Sequence, residues 1–199
     1  MLVLPNNIKL FNVQRQCWVR AKLVPLTRDL AATEIDGSWW EVPVSKAARE
    51  EEGDHHWQWR KVVGGHRNDL RWEAVAVQSA SGAIEGATIY RIDAKSQVER
   101  GEGAVYIDRL AAAPRNRPWL VNRAKYRGAG SALILGAVRH SYSLGLGGRL
   151  WLTSLPSERT VEFYRRRGFE VVFENEDGTI DFELPATVAQ RWLKSEGYL

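Results

Sequence analysis

Cysteine is nearly missing from this chain: Cys17 stands alone among 199 residues. One thiol excludes an internal disulfide and any site built on several cysteines, and it suits a reducing compartment. Because free cysteines are among the most buried residues, Cys17 in the strand-like run Gln16-Cys17-Trp18-Val19 is expected to fill core. Long apolar runs are missing too. Stretches such as Ala132 to Val138 fall far short of the roughly 20 residues a membrane helix needs, so no membrane partner is expected. Met1 to Pro5 turns polar at Asn6 and Asn7 without the charged start and apolar centre of a secretion signal, which predicts a cytoplasmic protein. The charge excess is small, 28 basic against 24 acidic residues, net +4. That balance suits anionic ligands without making nucleic acid the favoured partner.

With 44% apolar residues, the chain can bury a core as one domain, 1–199. The first sixty residues differ in texture from the last hundred, being rich in tryptophan and acid, and 1–70 reads as a divergent N-terminal part. Residues 16 to 24 alternate as a strand, and Ser45 to Trp59 predicts a helix interrupted near Gly53-Asp54. His55-His56 invites a metal reading, but adjacent histidines point different ways and no further ligand follows at a metal-site spacing, so no metal is expected.

From Trp72 the pattern sharpens. Trp72 to Val77 and Ala83 to Ile92 predict a hairpin turned at Ser79 to Gly82, and Ala104 to Ala111 a third strand stopped by Pro114. Alternation puts Tyr106, Asp108 and Leu110 on one face of that strand and Arg109 on the other. Arg115 to Lys125 reads as a polar surface loop. After Tyr126-Arg127-Gly128-Ala129-Gly130-Ser131 comes a helix over Ala132 to Tyr142. Leu150 to Ser154 then predicts a strand, Ser157 to Arg167 a helix closed by Gly168, and Phe169 to Phe173 and Thr179 to Leu184 two more strands. Such alternation implies an α/β fold, a mixed sheet covered by helices.

A loop of small residues leading into a helix leaves the first amides unpaired and places the positive dipole end there, which attracts phosphate. Gly128 and Gly130 clear the approach, and Lys125 and Arg127 add charge. No Gly-x-x-x-x-Gly-Lys string occurs, and Leu133 sits where a dinucleotide fingerprint needs its third glycine. What remains is Gln/Arg-x-x-Gly-x-Gly/Ala, which Lys125-Tyr126-Arg127-Gly128-Ala129-Gly130 fits with lysine at its first position.

On those residues, the chain resembles the GNAT acetyltransferase family. The likeness covers about 72–172 and closes with Ser157-Glu158-Arg159-Thr160-Val161-Glu162-Phe163-Tyr164-Arg165-Arg166-Arg167-Gly168-Phe169, similar to the family's Asn-x-x-Ala-x-x-x-Tyr-x-x-x-Gly-Phe. It implies a mostly antiparallel sheet of six to seven strands, splayed between the fourth and fifth, with a cofactor-binding core at 72–172. Acetyl-coenzyme A would be the co-substrate. Backbone groups of Leu110, Ala111 and Ala112 would pair with its pantetheine arm, and amides from Tyr126 to Ser131, beside Lys125, would hold its pyrophosphate. Ser157 stands where the family usually has asparagine, and 118–124 is an insertion.

The implied reaction is acetyl transfer to a primary amine, of a small molecule or a protein, by direct attack in a ternary complex. A homodimer is compatible with the resemblance. Tyr164, nearly two helical turns after Ser157, is the expected acid for the leaving thiolate, with aromatic packing as its other reading. Asp108 is the leading base, although it also suits binding the acceptor's ammonium or a structural ion pair. His140 is expected to be surface or packing. Two other functions compete: an acyl-coenzyme A sensor without turnover, and an acetyltransferase acting on aminoacyl-tRNA, the latter suggested by Arg115, Arg117, Arg123 and Arg127. Trp39, Trp40, Trp57, Trp59, Trp72 and Trp119 suit core packing, or an aromatic acceptor pocket.

Overall fold

The computed structural model describes residues 8–199, which divide into two compact units: 8–89 with 109–134, and 90–108 with 135–199. In the first lie β1 (Ile8–Asn12), β2 (Cys17–Pro25), α1 (Arg28–Ala31), α2 (Lys46–Glu50), α3 (Trp59–His66) and β3 (Trp72–Ser79). Next come β4 (Ile84–Lys95) and β5 (Gly103–Ala112), each contributing to both units, then β6 (Tyr126–Arg127) and α4 (Ala129–Ser143), which also runs through both. The second unit continues with β7 (Leu150–Ser154), α5 (Glu158–Arg165), β8 (Glu170–Glu174), β9 (Ile180–Leu184) and α6 (Ala186–Ser195). The strand order is β6-β1-β2-β3-β4-β5-β7-β9-β8. The two strands beyond the expected seven are β1, which pairs antiparallel with β2 from Ile8↔Ala21 to Asn12↔Cys17, and the two-residue β6 on its other edge.

The core of the first unit gathers Leu26, Ala31, Ile35, Trp39, Trp59 and Val63 over Ala76, Ile84, Ala87, Ala111 and Ala113 of the sheet. Small sheet residues leave room for two tryptophans, whose burial removes the largest apolar areas any side chain offers. Trp39 donates its indole N–H to the Ile84 carbonyl at 3.0 Å, so the ring is buried without an orphaned donor. In the second unit the period-2 burial of β7, with Leu150 and Leu152 inward, meets Phe182 and Leu184 of β9.

Three expectations are corrected. Residues 45–59 form no broken helix: α2 ends at Glu50, and α3 starts where the other was expected to end, at Trp59. The Asp36 carboxylate accepts the amides of Trp59 and Arg60 at 2.9 and 3.0 Å, a distant cap that no local pattern reveals. Cys17 is exposed, because it opens β2 right after the turn, and burial on that strand begins only at Ala21. Finally, Asn116 and Arg117 of the supposed surface loop are buried, drawn in by carboxylates.

Candidate active site

The end of β5 and the turn into α4 belong to one unit. Ala113 donates its amide to the Glu85 carbonyl at 3.0 Å, so alternation turns the amide and carbonyl of Ala112 toward the opposite edge of β5. On that edge the parallel ladder with β7 takes Val105, Tyr106 and Ile107, opposite Leu150 to Leu152, while β5 runs on to Ala112. Counted without β1 and β6, these are the fourth and fifth strands. Tyr106, Asp108 and Leu110 are half-buried while Val105, Ile107 and Ala111 are buried, as the alternation predicts. Arg109 lies on the other face, its guanidinium 5.1 Å from the centre of the Trp57 ring.

Gly128 has φ +100°, a conformation that side chains resist, and it carries the chain from β6 into α4. The first helical acceptor is its carbonyl, which takes the Ala132 amide at 2.9 Å, so the amides of the opening turn precede every carbonyl of the helix. Gly86 on β4 lets that turn sit close. A Cβ there would stand 3.2 Å from the Ala111 carbonyl oxygen and from Leu133, and 3.3 Å from Ala129.

Glu85 holds the turn in place, and sequence reasoning missed it. Fully buried, it takes Ser79 Oγ at 3.1 Å, Arg115 Nε at 2.9 Å and Asn116 Nδ2 at 2.9 Å, with Lys125 Nζ at 3.9 Å. Asn116 Oδ1 then accepts the Tyr126 amide at 2.9 Å, and the Lys125 amide bonds the Arg115 carbonyl at 3.0 Å. The carboxylate thus ties β4 to both strands of the loop base, directly before Gly128. A glutamate inside the largely apolar run Ile84 to Ile89, where Thr88 is the one other polar residue, was the available signal, since buried carboxylates require partners.

Arg117 was also missed in this role. Its guanidinium bonds Glu52 at 2.6 Å and Asp54 at 2.7 Å, contacts Asp54 again through Nη2, and donates to the Ala112 carbonyl at 3.0 and 2.7 Å. Burial opposes its charge, but the hydrogen bonds and charges of Asp54 and Glu52 outweigh that and hold its pKa above the ordinary value. Both lone pairs of the Ala112 carbonyl are therefore engaged, and its amide is the group left facing outward.

Of the other residues singled out, Arg127 is exposed, Lys125, Gly130 and Ser131 are half-buried, and Tyr126 and Ala129 are buried. Asp108, Ser157 and Tyr164 lie in the second unit. Ser157 is exposed and caps α5, accepting the Thr160 amide at 3.3 Å and meeting Thr160 Oγ1 at 2.6 Å. Tyr164 is buried among Phe163, Phe169 and Phe182, with ring centres 5.1 to 5.7 Å away. Burial pushes its pKa well up, against a smaller pull from Arg167. Tyr106 is raised as well, by burial first and by the charges of Asp108 and Asp181, against a hydrogen bond with Thr153. His140 is buried, its Nδ1 3.0 Å from the Tyr90 hydroxyl, which is the packing role expected for it. No cluster of three or more metal-ligating side chains occurs among the described residues, and no helix there is long and apolar enough to cross a membrane.

No protein-family model matches the sequence, and no curated protein matches it. Solved structures do match in fold. A nucleotide-linked sugar GNAT, FdhC in its apo form, has a TM-score of 0.57 at 12% identity, covering 96% of this chain and 97% of its own. A spermidine N-acetyltransferase SpeG chimera from Vibrio cholerae and hSSAT has a TM-score of 0.56 at 16% identity, with 85% of this chain and 98% of its own covered. The PaiA N-acetyltransferase of Thermoplasma acidophilum, solved with coenzyme A, has a TM-score of 0.54 at 14% identity, with 83% and 98% covered. The chain has the fold of the GNAT acetyltransferases.

Proposed function

We propose that this chain binds acetyl-coenzyme A and transfers the acetyl group to a primary amine in a ternary complex. The observation that carries the reading is the glycine-opened start of α4, fixed through Glu85 to the end of a strand whose outer edge runs past its ladder. Those residues fit the ligand: the glycine-opened start of α4, the positive end of the helix dipole, and the side chains of Lys125 and Arg127 suit a pyrophosphate. The outward groups of Leu110 and the amide of Ala112 suit an amide-bearing arm, with the Ala112 carbonyl reserved by Arg117. Structures of this fold solved with acetyl-coenzyme A or coenzyme A, such as the AtaTR complex and PaiA, support the choice of donor.

The neutral amine attacks the thioester carbon, forming the C–N bond; the C–S bond breaks, and the thiolate leaves. Two proton movements complete the balance. Asp108, half-buried beside Tyr106, takes the proton from the attacking nitrogen, directly or through water. Tyr164 gives a proton to the departing sulfur. An ordinary phenol is protonated at physiological pH already; burial keeps the hydroxyl so and makes it a weaker acid, so the transfer is driven by the basicity of the departing thiolate. Ser157 contributes the fixed start of α5, since its hydroxyl is already bound in the cap.

Tyr164→Phe tests this reading. Acetyl transfer to a panel of amines, followed by mass detection, should fall roughly 10²- to 10⁴-fold, while calorimetry gives an unchanged coenzyme A affinity. A wild-type chain that binds no coenzyme A would refute the proposal.

A further inference from the structure

We propose that the tryptophan-walled cavity of the first unit is the acceptor site, and that it selects an amine carrying a flat aromatic ring over a polyamine. This rests on the transferase reading above. The cavity has a volume of about 570 Å³, within the usual range for small-molecule sites. Trp39 and Trp59 both line it, edge to face with ring centres 6.1 Å apart and almost completely buried. Trp57 stands edge-on to Trp59 at 5.9 Å, and Trp40 and Trp57 remain half-exposed, so planar indoles share the open walls with His56, Gln58 and Arg60.

The charges around those walls argue against a polycation. Arg49 and Arg117 lie over the Trp40 ring at 5.4 and 5.5 Å, and Arg109 lies over Trp57 at 5.1 Å. At least one electron-rich face of each of these two rings, which would attract an ammonium chain, already holds one of the protein's own guanidinium groups. Asp36, the carboxylate on the cavity wall, accepts two backbone amides at the start of α3, and Arg60 on the same wall repels cations. What the walls still offer is offset or edge-on contact to another ring.

Location adds the second argument. Arg109 belongs to β5, and Arg117 joins the Trp40 ring to the Ala112 carbonyl. Two walls of the cavity are therefore linked to the strand segment assigned above to the thioester arm. A ring seated against Trp57 would hold an amine on a short alkyl tether on the Arg109 face of that strand, so its proton leaves through water and not directly to Asp108, which faces the other way.

The test compares phenethylamine with spermidine, both for binding by calorimetry and for acetyl transfer from acetyl-coenzyme A. Phenethylamine is expected to have a kcat/KM about tenfold or more above that of spermidine. Trp57→Leu should weaken phenethylamine binding by about the same factor, with coenzyme A affinity unchanged. Trp40→Leu is the second variant, should the first fail to fold. Equal use of the two amines, or phenethylamine binding indifferent to either substitution, would overturn the proposal and leave the transferase reading standing. Tryptophan-dependent phenethylamine binding in a chain that transfers no acetyl group would uphold the pocket and sink the transferase reading.

Discussion

The two units place their candidate groups by opposite physical means. Around the turn into α4, position is set by buried charge: Glu85 and Arg117 each satisfy several partners at once. Around Tyr164, position is set by apolar packing against three phenylalanines. A buried charge loses heavily when a partner goes, whereas an aromatic cluster tolerates a change that keeps its shape. The turn should therefore be the brittle region, and the helix carrying Tyr164 the forgiving one.

Arg117→Ala is the largest expected blow to that contrast. It strands Glu52 and Asp54 without their shared cation and should cost about 3–5 kcal/mol in urea denaturation. Tyr164→Phe should stay within about 1 kcal/mol of wild type, since it keeps ring and volume. If the two losses proved equal, the comparison would be wrong. Glu85→Gln comes next. It keeps the shape and some hydrogen bonds, removes the charge facing Arg115 and Lys125, and should cost about 1–3 kcal/mol. It should also weaken coenzyme A more than pantetheine, because the turn it positions is the one proposed to hold the pyrophosphate. Gly128→Ala forces a side chain into φ +100° and should cost about 1–2 kcal/mol, with coenzyme A affinity falling alongside.

The smallest effect sharpens the contrast from the packed side. Burial holds the His140 imidazole below its ordinary value of 6.5, so on acidification the unfolded chain takes up this proton first. The stability owed to the neutral ring is complete above about pH 6.5 and declines as the pH falls toward the folded-state value. His140→Gln should flatten that part of the stability profile, measured by denaturation at a series of pH values.

Which parts of this were readable beforehand follows from the range of the forces involved. The Gly128 turn, the strand alternation at Tyr106, Asp108 and Leu110, and the helix of Tyr164 rest on backbone conformation and periodicity, which neighbours in sequence dictate. Glu85 and Asn116 meet across 31 residues, and Arg117 reaches Glu52 across 65. No local pattern carries such pairings, so Arg117 looked like loop surface. The same cause hid the start of α3, whose cap at Asp36 lies 23 residues upstream. β1 and β6 escaped notice because each is short: pairing with β2 makes β1 a strand, and pairing with β1 makes β6 one.

One small clasp has a wider meaning. The amide of Lys125 meets the carbonyl of Arg115, closing the intervening segment at its neck, and the exposed tip at Asn122 and Arg123 lies beyond the buried Asn116 and Arg117. Extra residues spliced into that tip would enlarge a ring whose knot is already tied, and each doubling of its length adds only about 0.6 kcal/mol. Evolution, or an engineer, has there a place to append new surface while the neighbouring glycine hinge keeps its aim.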